Sequence, residues 1–165
     1  MNFEEIYNKY YSQVYKFVFR MVGCKDETED ILQEVFIKMY NYLGNNNNII
    51  NPKAWLLKVA ANTSMTKLNK NKLHNKYIQS ELVNSANKNE PVDEIEKNEQ
   101  VKFLNHALSL LSEREKLLII LYQENLSYAD IATIAGINKK SVGKYLSRTI
   151  EKLSHEVHER LKYEM

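Results

Sequence analysis

Ser141, Lys144 and Arg148 follow one another at spacings of three and four residues, with Lys140 just ahead of them. On an α-helix that spacing puts side chains on one face. Ammonium and guanidinium groups there can neutralise phosphates, and Arg can also reach a guanine edge in a major groove. The surrounding block, Asn138 to Lys152, holds five basic residues and one acid. A second block, Lys53 to Lys76, holds six Lys and no acid, and Tyr77 to Gln100 between them holds six acids and two Lys. Two basic blocks separated by an acidic stretch suggest two contact sites for a polyanion. Taken one block at a time, Lys on solvated helix faces gives the same pattern. A third group, Asp30, Gln33, Glu34 and Lys38, forms a polar strip that could meet a basic partner or face water.

Other chemistries find little support. The chain has no phosphate-cradling Gly-rich loop and no H-E-x-x-H pair. His74, His106, His155 and His158 are scattered or lie in polar stretches. Cys24 is the single cysteine, without Cys or His at ligand spacing, so neither a metal site nor an internal disulfide is expected. The chain therefore reads as a binding protein without a cofactor and not as an enzyme. Glu4 and Glu5 do not fit a secretory leader, and no apolar run approaches the ~20 residues of a membrane span. A cytoplasmic protein is the expectation.

The elements that must position these residues are helical. With four Gly and two Pro in 165 residues, few tight turns are possible. Phe3, Ile6, Tyr7, Tyr10, Val14, Tyr15, Phe17, Val18 and Met21 repeat at helical spacing, and Gly23 ends the run. Acids at 26, 27, 29 and 30 open a second helix, suited to the helix dipole. Its apolar stripe is Ile31, Val35 and Met39, widened by Leu32, Phe36 and Leu43. Gly44 and four Asn make a loop, then Asn51 and Pro52 restart order as N-cap and first helical residue. That third helix carries Trp55, Leu56, Val59, Ala60 and Leu68, with Trp55 assigned to the core, and runs to about Asn75. Residues 76–93 read as a linker. Periodicity returns with Ile95, Val101, Leu104, Leu108 and Leu111.

Ser112 to Glu115 is a capping box opening a helix with Leu117, Leu118, Ile120 and Leu121. Ser127 and Asn138 cap two further starts. Between them Ile131, Ala132 and Ala135, the turn residue Gly136, the anchor Ile137 and then Val142, Tyr145 and Leu146 fit a helix-turn-helix. Its second helix is expected from about Lys139 to the early 150s, with Lys140, Ser141, Lys144 and Arg148 facing out. Gly143 in that helix costs ~1 kcal/mol relative to Ala. Repressors and activators also use this motif, so it does not define a function.

Glu29-Asp30-Ile31-Leu32-Gln33-Glu34-Val35-Phe36 resembles the region 2 signature of the sigma-70 family of RNA polymerase sigma factors. The run from Pro52 to Asn62 resembles the segment that follows it, and Leu111 to Glu115 with Leu126 to Ala132 resembles region 4. Order, spacing and length resemble the extracytoplasmic-function group, which keeps only these two regions. The resemblance implies an all-α fold of two small helical domains, 1–75 and 94–165, joined by the linker. It implies docking of Asp30, Gln33 and Glu34 on the β′ subunit of core RNA polymerase, with the β subunit a further partner of the chain. It implies contact of Lys58, Asn62, Thr66, Lys67 and Lys70 with promoter DNA at the −10 element, and a base-capturing role for the Asn loop. It further implies −35 reading by Lys140, Ser141, Lys144 and Arg148, and an anti-sigma factor as a possible partner.

The chain departs from the family pattern in three places. Thr28 stands where Ala is usual, Lys and Asn replace Arg after the −10 helix, and Gly143 and Tyr145 take recognition-helix positions often held by Arg. Lys cannot reproduce a bidentate Arg–guanine contact, so promoter preference does not carry over. Two other readings share these motifs: a sigma-like DNA-binding regulator that does not dock on polymerase, and an interaction protein that occupies a sigma site.

Overall fold

The structure, a computed structural model, describes residues 1–45, 47–81 and 106–163. Every regular element among them is helical, and the chain divides into two units, Met1–Val92 and Asp93–Met165.

The first unit is a three-helix bundle of α1 (Phe3–Val22), α2 (Lys25–Gly44) and α3 (Pro52–Glu81), each packed on the other two. Asn2 starts α1 with a capping box: the Glu5 N–H donates to Asn2 Oδ1 at 2.9 Å and the Asn2 N–H donates to Glu5 Oε2 at 3.0 Å. Gly23 stops it at φ 72°, a left-handed conformation that costs a glycine little. The apolar face expected of α1 divides in two. Ile6, Val14, Phe17, Val18 and Met21 are buried, whereas Tyr7 is exposed and Tyr15 half-buried. Tyr7, Tyr11, Tyr15 and Phe19 form a ladder one turn apart along the flank. Phenol tips can stay wet while their rings pack, so helical spacing alone counts Tyr7 and Tyr15 with the core.

On α2 the stripe of Ile31, Leu32, Val35, Phe36 and Met39 is buried. Thr28, the residue standing in for Ala, is fully buried as well. Its hydroxyl donates to the Cys24 carbonyl at 2.7 Å, so the site accepts the extra polar atom. Asn51 caps α3 as expected, accepting from the Ala54 N–H at 3.1 Å. Leu56, Leu57, Ala60, Ala61, Thr63 and Ser64 form the buried side of α3. Trp55 is only half-buried, its ring 5.4 Å from that of Tyr42, so the core assignment holds for part of the indole. The helix continues past Asn75 to Glu81. Residues 76–81 contain no Gly or Pro to stop it, and the polar composition that suggested a linker there is also that of an exposed helix. The remainder of the expected linker, with Ile95, Val101 and Leu104, lies outside the described residues.

In the second unit a helical stretch at 106–109 precedes α4 (Glu113–Gln123), α5 (Tyr128–Ala135), a 3-10 turn (Lys139–Ser141) and α6 (Val142–Tyr163). The capping box of Ser112 and Glu115 is present, and Leu117 to Leu121 are all buried, so α4 is the centre around which the others pack. Ser127 caps α5, and Gly136 ends it at φ 64°. Ile131, Ala132, Ile134, Val142 and Leu146 are buried, with Ile137 half-buried beside them. The last helix begins at Val142 and not Lys139. The Asn138 side chain accepts from the Lys140 N–H at 2.9 Å, and the Ser141 N–H donates to the Asn138 carbonyl, tightening the first turn to 3-10. It also runs ten residues further than its apolar pattern suggested, to Tyr163.

Candidate nucleic-acid interface

Asp30, Gln33 and Glu34 are all exposed on α2, but they do not share one site. Asp30 and Glu34 line a groove of about 280 Å³ between α2 and α3. The opposite wall is Asn62, Thr63, Thr66, Lys67 and Lys70 of α3. The structure thus brings two of the three docking candidates together with four of the five −10 candidates. Lys58, the fifth, is exposed one turn before Asn62 and outside the groove. Successive four-residue steps from Lys58 through Asn62 and Thr66 to Lys70 lay these side chains along one stripe. The Thr66 hydroxyl donates back to the Asn62 main-chain carbonyl at 2.9 Å, and Asn62 is exposed.

Gln33 belongs to another surface. It lies with Glu29 and Asp30 beside a groove of about 590 Å³ whose floor is Phe3, Tyr7, Tyr11, Leu32, Phe36, Ile37 and Tyr40. The Tyr7 and Phe36 rings meet edge-on at 4.7 Å, and Phe3 meets Tyr40 edge-on at 5.4 Å. Burial, then the neighbouring Tyr7 and Glu29, raises the Tyr11 phenol above its ordinary value, so it stays protonated. In the Asn loop, the Asn47 amide donates to the Tyr42 carbonyl at 3.1 Å, and Asn45 and Asn48 are exposed. Asn46 lies outside the described residues.

In the second unit Lys140, Lys144 and Arg148 are exposed and Ser141 is half-buried. Lys140 and Ser141 sit in the 3-10 turn at the tip, with Lys144 and Arg148 on the helix behind it. The far side of α6 is closed by Val142, Leu146 and Thr149. Ser147 and Glu151 share the outward face with Lys144 and Arg148, and both are exposed. The three- and four-residue spacing that picked out the basic residues could have found them too. Gly143 is not required by packing: a Cβ there would lie 3.7 Å from the Tyr128 ring, an ordinary contact.

Two links from the start of α4 hold this motif. Arg114 donates to the Gly136 carbonyl at 3.2 Å, and Lys152 donates to Glu115 Oε2 at 3.1 Å. The Ser112 N–H first, then Lys152, holds the Glu115 carboxyl below its ordinary value against a smaller opposing effect of burial. Burial lowers the Lys116 amine, partly offset by Glu113.

A three-helix bundle with an amide-and-lysine stripe, followed by a helix-turn-helix with a basic outer face, defines a two-module helical DNA-binding protein. Comparison with known proteins makes the class specific. The family profile for Sigma-70 region 2 matches residues 6–73, and that for Sigma-70, region 4 matches residues 104–153. The chain is 27% identical over 154 residues, 93% of each chain, to the ECF RNA polymerase sigma factor SigM of Bacillus subtilis. It is 36% identical to SigX of the same organism over 63 residues, 38% of this chain but only 32% of SigX. Its fold is similar to the sigma factor RpoE of Bartonella quintana, solved with the anti-sigma factor NepR (TM-score 0.74, 21% identity, 94% and 96% of the two chains). It is also similar to CnrH, solved with the cytosolic domain of CnrY (TM-score 0.62, 14% identity, 94% and 87%). The chain belongs to the sigma-70 family, in its extracytoplasmic-function group.

Proposed function

We propose that the chain is a transcription initiation factor that docks on core RNA polymerase and directs it to promoters, acting by binding and not by catalysis. The single observation that carries this is the order of two sigma regions along one chain, each presenting a polar stripe suited to DNA. Asp30, Gln33 and Glu34 dock on the β′ subunit. Lys58, Asn62, Thr66, Lys67 and Lys70 hold the unpaired strand of the −10 element, Lys through phosphates and Asn through a base edge. Lys140, Ser141, Lys144 and Arg148 read the −35 duplex. The linker expected over 76–93 ties the two modules into one chain, so that one bound site raises the effective concentration of the other. The working compartment is the cytoplasm, where polymerase and promoters are found. An anti-sigma factor is a further partner, as the similar RpoE was solved with the anti-sigma factor NepR.

Charge reversal tests the docking assignment. Asp30→Lys with Glu34→Lys lowers affinity for core polymerase at least tenfold in a binding titration, while circular dichroism and melting stay those of the parent. Unchanged core affinity in the folded double variant contradicts the assignment.

A further inference from the structure

Lys38 lines the groove between α2 and α3. Its Nζ lies 2.6 Å from Glu34 Oε1, one turn back on α2, and donates across the groove to Thr63 Oγ1 at 3.4 Å on α3. Both side chains of the ion pair are about half exposed, 50% and 52%. A pair so exposed is weak and changes partner readily. The groove around it holds three cations, Lys38, Lys67 and Lys70, against two carboxylates, Asp30 and Glu34. Among the described residues Lys67 and Lys70 carry no ion pair of their own. A nucleic-acid backbone entering the groove therefore meets two repelling carboxylates, one of which also holds Lys38.

Resting on the reading above, we propose that Lys38 is a DNA-backbone ligand of the −10 strand site, masked by Glu34 in the free chain. A basic surface on polymerase that takes Asp30 and Glu34 removes both negative charges and leaves Lys38, Lys67 and Lys70 lining a cationic groove. Glu34 thus has two cationic partners in turn, and the exchange delivers a lysine to the strand when docking occurs. A Lys–phosphate contact is independent of sequence, so mixed-sequence single-stranded DNA is a sufficient probe.

The experiment measures fluorescent single-stranded DNA of mixed sequence binding to reconstituted holoenzyme across a salt series. Lys38→Gln is expected to weaken binding several-fold and to lower the slope of log K against log salt by about 0.7, one phosphate on a single strand. Lys38→Arg restores both, each variant being measured at core concentrations that saturate it. In the free chain at low salt, Glu34→Gln strengthens binding of the same probe. A wild-type slope in the Lys38→Gln holoenzyme overturns the proposal, as does a Glu34→Gln free chain that binds no better than wild type. Wild-type holoenzyme that starts no transcription contradicts the parent reading instead, so the two failures are distinct.

Discussion

Single side chains in this protein divide into those that hold the fold and those left over for contact. Ser64 belongs to the first kind and is imperfect: its hydroxyl is buried on α3 with no hydrogen-bond partner. A buried polar group without a partner costs about 1–3 kcal/mol, so Ser64→Ala is expected to stabilise the first unit by about 1 kcal/mol in urea unfolding. Thr28, equally buried, differs because its hydroxyl reaches the Cys24 carbonyl. Titration adds a second residue-scale prediction. The Glu115 carboxyl is lowered in the fold by the Ser112 N–H and Lys152. The unfolded chain therefore takes up its proton first as pH falls, and the stabilisation present above the ordinary carboxylate range is lost below it. Glu115→Gln should remove that part of the acid-side loss, seen as a flatter melting-temperature profile below about pH 5. An unchanged profile would mean the capping carboxylate contributes nothing to acid stability. Spacing alone puts Ser141, Lys144 and Arg148 on one helix face, whereas roles for Asp30, Gln33, Glu34 and the α3 residues come only with the family resemblance. Lys38 could not be assigned a role that way, since its partner on α3 is 25 positions away.

At the level of elements, local chemistry in the sequence predicts where helices begin better than where they end. Asn51, Ser112, Ser127 and Asn138 all cap as their types require. Composition does not mark the end of α3, since nothing in Lys76 to Glu81 forces a stop. Spacing does not separate Tyr7 and Tyr15 from the core of α1, because a helical period does not distinguish buried rings from half-wet ones. The helix-turn-helix offers a paired test with two glycines. Gly136 is left-handed at φ 64°, so Gly136→Ala should destabilise the second unit by about 1 kcal/mol. Gly143 is helical with ordinary space beside Tyr128, so Gly143→Ala should stabilise it by roughly 0.5–1 kcal/mol. Opposite signs in thermal unfolding are expected. Equal signs would contradict the turn geometry.

Over the whole molecule, two helical modules carry different duties along one chain. The first combines a partly acidic face with a lysine and amide stripe across a shared groove. The second presents Lys140, Lys144 and Arg148 from a short motif fixed by α4. Fold class and the two-region order were readable from the sequence, because the region signatures are local. The convergence of Asp30 and Glu34 with Asn62, Thr66, Lys67 and Lys70 was not, because it depends on how α2 and α3 pack. If this chain gives polymerase its promoter choice, start sites must change when it is present. The most direct measurement is sequencing of RNA 5′ ends made on genomic DNA by core polymerase with and without the chain. The account predicts a new set of start sites, each preceded by a shared pair of −35 and −10 elements, that vanishes when the chain is omitted. Identical start sites in both reactions would contradict it.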